Sequence, residues 1–250
     1  IQVPTKSKIR DMEEINQNFN LMVRALDGTE VLQSDFVSNV SHEFKTPLTA
    51  IEGYAMLLQG TAQITAEQQE YVEKILINTQ RLSGLVGNVL LLSKIENQQI
   101  PDSPRPFQLD EQIRKTIMFL EPQWSEKELE LDVELDAIVY TGNESLLVQV
   151  WNNLIANAVK FNRPGGLLRL RLEETKDSVR FTVEDEGPGI AEEDMPHIFD
   201  KFYQGDTSHR QSGNGLGLSL VMRILNACGG SVSVENREEG GARFLVTLKK

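Results

Sequence analysis

Val179-Arg180-Phe181-Thr182-Val183-Glu184-Asp185-Glu186-Gly187-Pro188-Gly189 is the stretch that decides how the C-terminal part of this sequence folds. Apolar and polar residues alternate strictly from Val179 to Val183, the mark of a strand with one buried and one wet face. The buried parity runs on to Asp185. A carboxylate on that side is costly unless a hydrogen-bond partner meets it, and Gly187 and Gly189 would let a flat ring approach the backbone closely. The same residues also read as a strand that simply ends, with Asp185 turned into water and a Gly-Pro-Gly turn. This segment alone leaves both readings open.

The alternation recurs on either side. Leu129, Leu131, Val133 and Leu135 show it, as do Leu168, Leu170 and Leu172, then Val232 with Val234, and Phe244, Val246 and Leu248. Each reads as a strand of antiparallel type, buried on one face. Helices are expected near 110–121, 144–161 and 215–228, giving an α/β sandwich with one sheet and helices on one face. Within 144–161, Leu147, Val150, Leu154, Ala158 and Phe161 form a core stripe, and Asn153, Asn157 and Lys160 line a neighbouring face.

Two carboxamides and an ammonium in that row suit a chelated polyphosphate. An amide oxygen is a hard neutral ligand for Mg²⁺, and lysine is a point charge for phosphate. A plain solvated helix face is the alternative. A purine amino group would be one partner for Asp185. Gly213-Asn214-Gly215-Leu216-Gly217-Leu218 opens the last helix, where backbone N–H groups make an anion site. The run has neither the Gly-Lys-Ser/Thr of a P-loop nor Rossmann spacing. The polar residues 205–212 before it read as a lid.

Pro101, Pro104 and Pro106 mark a boundary. Before it, Leu32, Phe36, Val40, Phe44, Leu48, Ile51, Ala55 and Leu58 recur in steps of three and four, as in a helix. Thr65 and Gln68 read as a capping box that opens a second helix with Val72, Ile75, Thr79, Leu82, Val86, Val89 and Leu92 on its seam. One such αα-hairpin exposes too much apolar surface, so pairing with a second copy into a four-helix bundle is expected. A narrower stripe, Ile9 to Leu26, resembles a coiled-coil seam and stops at Asp27-Gly28-Thr29. His42 falls off the stripe of Val40, Phe44 and Leu48 and faces solvent, with Thr46 one turn on. Pro47 should bend the helix just beyond. An exposed, largely neutral imidazole is a competent nucleophile near pH ~7.5, although read in isolation such a histidine is usually a plain surface residue, as His197 and His209 read.

The net charge of −12 argues against a nucleic-acid-binding surface. The one cysteine, Cys228, excludes an internal disulfide and a cysteine-based zinc cage, and reads as a small core residue. No apolar run approaches the ~20 residues of a membrane span. The chain begins at Ile1 and not at Met, which leads us to expect a piece of a longer protein.

Five segments together resemble the histidine kinase family of two-component signalling. Ser41-His42-Glu43-Phe44-Lys45-Thr46-Pro47-Leu48 resembles its phospho-acceptor box, and Asn153 to Asn162 its asparagine box. Asp185-Glu186-Gly187-Pro188-Gly189-Ile190 resembles the first glycine box, Phe199-Asp200-Lys201-Phe202-Tyr203 the phenylalanine box, and Gly213 to Leu218 the second glycine box. The resemblance covers residues 32–250, and residues 4–30 resemble the last helix of a HAMP linker. It implies a HAMP-like helix over 1–31, a dimerisation and phosphotransfer hairpin over 32–100 and a catalytic ATP-binding domain over 101–250.

The resemblance also implies roles. His42 would accept the phosphoryl group, Glu43 would orient its imidazole, and Thr46 would position water for dephosphorylating the partner. Asn157 would hold Mg²⁺ with Asn153 close by, Lys160 would contact phosphate, and Asp185 would bind the adenine amino group. Gly187, Gly189, Gly213, Gly215 and Gly217 would line the nucleotide and its lid. The implied cofactors are ATP and Mg²⁺. The implied partners are a second copy through the hairpin and a response-regulator receiver domain, with no nucleic acid. The chain would be the cytoplasmic portion of a protein of the bacterial cell membrane, reaching the bilayer only through segments outside it. Gly142-Asn143 and Leu146 depart from a frequent Gly-Asp and Arg, and His209 stands where the lid often has Arg, leaving Arg210 nearest. An ATPase of the gyrase and heat-shock chaperone type is one rival, disfavoured by the His42 hairpin. A scaffold with a degenerate nucleotide site is the other, disfavoured by the intact asparagines, lysine and glycines.

Overall fold

Thr65 starts the longest helix by the reciprocal bonding expected of it: its hydroxyl accepts from Gln68 N–H at 3.2 Å, and its own N–H donates to Gln68 Oε1 at 2.9 Å. The computed structural model describes residues 48–59, 65–97, 104–205 and 215–250. The chain divides into two units, residues 1–98 and 99–250. In the first, helix α1 covers residues 48–59 and α2 spans Ala66–Glu96. Gln80 Nε2 reaches Glu52 Oε1 at 3.4 Å, so the two helices lie alongside each other. Leu48, Ala55, Val72, Thr79 and Leu92 are buried, whereas Ile51, Tyr54, Leu58, Ile75, Leu82 and Val89 stay exposed.

One 18-residue stretch of α2 has mean hydropathy 1.3, so by length and composition alone the helix could cross a membrane. Asn78, Thr79, Gln80 and Asn88 in its middle are better accommodated in a helical bundle than in hydrocarbon. The expected HAMP-like segment, His42, Glu43, Thr46 and Gly213 lie outside the described residues, as does most of the expected lid.

The second unit is a sheet covered on one face by helices. Its elements are β1 (Arg105–Gln108), α3 (Leu109–Phe119), α4 (Glu121–Glu126), β2 (Glu130–Leu135), β3 (Val139–Gly142), α5 (Glu144–Phe161), β4 (Leu167–Glu174), β5 (Ser178–Glu184), α6 (Gly217–Ala227), β6 (Ser231–Asn236) and β7 (Ala242–Lys249). The main sheet has the order β2-β4-β5-β7-β6. Three of its pairings are antiparallel, but β2 and β4 run parallel, which corrects the all-antiparallel expectation. One-face alternation is common to both kinds of pairing; the α5 crossover between these strands is what makes them parallel. A second correction concerns Pro106. It lies inside β1, which pairs with β3 in a separate two-stranded ribbon, where an edge strand tolerates a missing N–H.

Leu168, Leu170, Leu172, Val179, Phe181, Val183, Val246 and Leu248 are at most 2 % exposed, and α5 packs on β5 and α6 on β6. Trp151 stacks edge-on against Phe181 at 5.0 Å, and its Nε1 donates to Gln112 Oε1 at 2.8 Å, tying α5 to α3. Burying each large side chain stabilises the unit by roughly 1.5–3 kcal/mol, enough in sum to hold a few costly polar groups in place. Phe161, expected in the α5 stripe, is only partly buried; Ile155 and Val159 fill the core instead.

On the opposite face of the sheet, one cross-strand row of alternating charge spans all five strands. Arg169 Nε meets Asp132 at 3.1 Å and its Nη1 meets Glu184 at 2.7 Å. Arg243 bonds Glu184 and Glu235, each at 2.7 Å. These directly opposed pairs pin the register and bring Glu184, the neighbour of Asp185, to 7 % exposure.

Candidate nucleotide-binding site

The buried parity of β5 does carry Asp185 inward, to 4 % exposure. Its Oδ1 accepts the N–H of Gly187 at 2.9 Å and of Ala242 at 3.2 Å. Its own N–H donates to the Ala242 carbonyl at 3.1 Å, and its carbonyl accepts from Arg237 Nη1 at 2.8 Å. Burial pushes the Asp185 carboxyl above its ordinary 3.8, and the two N–H bonds and Arg237 pull it only part of the way back. Among the described residues Oδ2 accepts no hydrogen bond. No buried side-chain oxygen among the described residues lacks a partner, so Oδ2 is still reachable from outside. One oxygen is thus fixed by the fold and the other is presented.

The loop after Asp185 is held on two sides. Asn162, buried at the end of α5, accepts the N–H of Glu186 at 3.2 Å and donates to the Leu167 carbonyl at 3.0 Å. A Cβ on Gly187 would collide with the Phe161 carbonyl, so the end of α5 and this loop touch. On the other side Asn236 bonds both main-chain groups of Ile190. Gly241, at φ +89, lies so close that any Cβ would strike the Asp185 carbonyl; only glycine serves there. Lys127 Nζ donates to the carbonyls of Val159, Lys160 and Asn162, neutralising the negative end of α5.

Along α5, Asn153, Asn157 and Lys160 occupy one partly exposed face. Asn153 Nδ2 donates to the Gln149 carbonyl at 2.7 Å. That leaves Oδ1 toward the start of α6, where a Cβ on Gly217 would stand 2.6 Å from it. The α5 face therefore runs from the α6 N-terminus to the Asp185 loop. The Asn157 carboxamide forms no hydrogen bond among the described residues. Lys160 Nζ sits 4.4 Å from the Phe161 ring centre. Phe202 N–H donates to the Gly215 carbonyl at 2.9 Å, joining the chain before the expected lid to the chain after it. Gly189 and Gly215 adopt φ of +75 and +67.

The site thus gathers Asn153, Asn157, Lys160, Asp185, Gly187, Gly189, Gly215 and Gly217 on one side of α5. Asn162, Lys127, Asn236, Arg237 and Gly241 hold it together and were not singled out from the sequence. The residues fit a magnesium nucleotide. No three His, Cys, Asp or Glu side chains gather at one place among the described residues, whereas Mg²⁺ with a nucleotide needs only one or two protein oxygens beside the phosphates. The Asn157 carboxamide is such a donor, and α6 directs its N-terminal N–H groups toward the same side.

Comparison with known proteins agrees with this geometry. Residues 142–250 match the family of histidine kinase-, DNA gyrase B- and HSP90-like ATPases, and residues 32–98 match the His Kinase A (phospho-acceptor) domain. The heme sensor protein HssS of Staphylococcus saprophyticus is 35% identical over 94% of this chain and 51% of its own length. HssS of Staphylococcus aureus strain JH9 is 32% identical over 99% of this chain and 54% of its own length. The chain spans about half the length of these curated relatives. Among solved structures, full-length ShkA in complex with AMPPNP superposes with TM-score 0.72 at 33% identity, over 86% of this chain and 45% of that one. The Acinetobacter baumannii histidine kinase AdeS gives 0.62 at 25% identity, over 83% and 97%.

Proposed function

Since the chain belongs to the sensor histidine kinases, we propose that it moves the γ-phosphoryl group of ATP onto His42 and passes it to an aspartate of a response regulator. We assign residues 1–31 to a HAMP-like helix, 32–100 to the dimerisation and phosphotransfer hairpin, and 101–250 to the ATP-binding domain. The observation that carries the nucleotide reading is Asp185, buried beside a glycine turn with one oxygen pinned by two N–H groups and the other presented. The adenine amino group donates to that second oxygen.

Asn157 holds Mg²⁺ with Asn153 beside it, and Lys160 contacts phosphate. Bound Mg²⁺ neutralises phosphate charge, which phosphoryl transfer needs more than covalent help. The N–H groups of the glycine turns and of the α6 N-terminus receive phosphate oxygens. A His42 ring nitrogen attacks phosphorus in line, ADP leaves, and the ring loses its proton to solvent. Glu43 orients that ring, and Thr46 positions water when the regulator's aspartyl phosphate is hydrolysed. The exposed seam of α1 and α2 supports a homodimer, since a second hairpin would cover it. The chain acts at the cytoplasmic side of a bacterial membrane protein.

The phospho-acceptor match favours this over the gyrase and chaperone type of ATPase, which shares only the second domain. Incubation with γ-labelled ATP tests the reading: the chain should gain an acid-labile, alkali-stable label, and His42→Gln should abolish it while ATP binding persists. Continued labelling of that variant would refute His42 as the acceptor, and release of free phosphate with no label on the chain would favour the ATPase.

A further inference from the structure

The turn between β6 and β7 grips the loop that follows Asp185. Ile190 N–H donates to Asn236 Oδ1 at 2.8 Å, and Asn236 Nδ2 donates to the Ile190 carbonyl at 2.7 Å. This two-point contact mimics a backbone ladder pair. Gly189 lies flush against it, since a Cβ there would stand 2.9 Å from Asn236 Oδ1. The next residue, Arg237, holds the other end of the loop through the Asp185 carbonyl at 2.8 Å. Two consecutive residues thus fix both ends of the loop from Asp185 to Ile190. Asn236 is itself exposed, so the core does not require it.

We propose that Asn236 is a positioning residue for nucleobase selection, acting through Ile190 and touching no nucleotide itself. This rests on the nucleotide reading of the site given above. Adenine presents an amino donor to the free oxygen of Asp185, whereas guanine presents a carbonyl oxygen at the same ring position. Two oxygens facing each other repel, but only if neither can retreat. The rejection of guanine therefore depends on how firmly the loop is held, because a retreat of roughly 1.5–2 Å admits a bridging water that hydrogen-bonds to both oxygens. Asn236 and Arg237 set that firmness.

The test uses Asn236→Ala in the full chain. Displacement of a fluorescent nucleotide gives the affinities for ATP and GTP. Self-labelling gives the half-saturating ATP concentration and the saturating rate, and thermal unfolding gives the stability. Loss of two hydrogen bonds should weaken ATP about tenfold and shrink the ATP-over-GTP preference by a similar factor. The saturating rate should stay within about twofold, the melting temperature should fall by no more than a few degrees, and Asn236→Ser, which keeps a single donor–acceptor group, should fall between. An unchanged ATP/GTP ratio overturns the proposal, whether both affinities hold or both drop together. So does a large fall in melting temperature that accounts for the weaker binding. If the unaltered chain fails to bind ATP, or Asp185→Asn binds it equally well, the nucleotide reading itself falls and takes this inference with it.

Discussion

Replacing Asp185 with Asn separates what the fold needs from what the ligand needs. Oδ1 accepts two N–H groups, from Gly187 and Ala242, so the amide oxygen of the variant must take that place and its NH₂ must take the place of Oδ2. Turning the amide over would set its NH₂ against two N–H donors. The adenine amino group then meets another donor. The variant loses a charge-assisted bond of about 1.5–3 kcal/mol and leaves an unsatisfied donor costing about 1–3 kcal/mol. Together these give roughly 3–5 kcal/mol, a rise in Kd of about two to four orders of magnitude.

Stability should move the other way. The folded carboxyl titrates above its ordinary 3.8 because burial outweighs its hydrogen bonds and Arg237. A raised carboxyl means that the native state binds the proton more tightly than the unfolded chain. The cost of the buried charge is therefore absent below 3.8, grows as pH rises through the folded value, and is complete above it. Asn carries no such cost. Without nucleotide, the variant should be at least as stable as the parent at pH ~7, with any advantage shrinking toward pH ~4. Calorimetric titration with ATP and thermal unfolding of the nucleotide-free protein read both effects. Binding within threefold of the parent, or a melting temperature several degrees lower at neutral pH, would refute the reasoning.

Gly241→Ala should unfold the second unit more easily by at least ~2 kcal/mol, because φ is +89 and the new Cβ would strike the Asp185 carbonyl; an unchanged urea midpoint would contradict that close approach. Burial pushes Glu184 up, but Arg243 and Arg169 outweigh it and hold the carboxyl below its ordinary 4.5. Its contribution is therefore full above 4.5 and lost as pH falls through the lower folded value. The urea midpoint should drop steeply below pH ~4.5, less so in Arg243→Met, and a midpoint flat down to pH ~3 would count against the charge row. Thr46→Ala should slow dephosphorylation of the regulator more than self-labelling, whereas equal losses in both assays would remove the assigned role.

What could be read from the chain beforehand follows from whether a residue is chemically out of place in its own segment. Asp185 is: it continues an apolar parity, and that conflict put a ligand beside a strand end turned into water as the two readings of the segment. The strands of the main sheet were legible for the same reason, because a period of two leaves a mark on every residue. β1 was not, since Pro106 signals a linker until a partner strand that never needs its N–H is seen. Nor was the parallel pairing of β2 with β4, because alternation states which face is buried and says nothing of direction. The row from Asp132 to Glu235 depends on register across five strands, and each of its residues is an ordinary surface charge in its own segment. Asn236 and Arg237 are of this second kind. In Glu235-Asn236-Arg237-Glu238-Glu239-Gly240-Gly241 they pass for a polar turn, and the only hint is the paired glycine that lets the chain press against Asp185. Asp185 violates a local rule and so announces itself, Asn153, Asn157 and Lys160 pass for a solvated helix face, and the residues that hold the Asp185 loop in position emerge only when segments some fifty positions apart are paired. That asymmetry is the reason to look for nucleotide selectivity in the β6–β7 turn and not only among the residues lining the site.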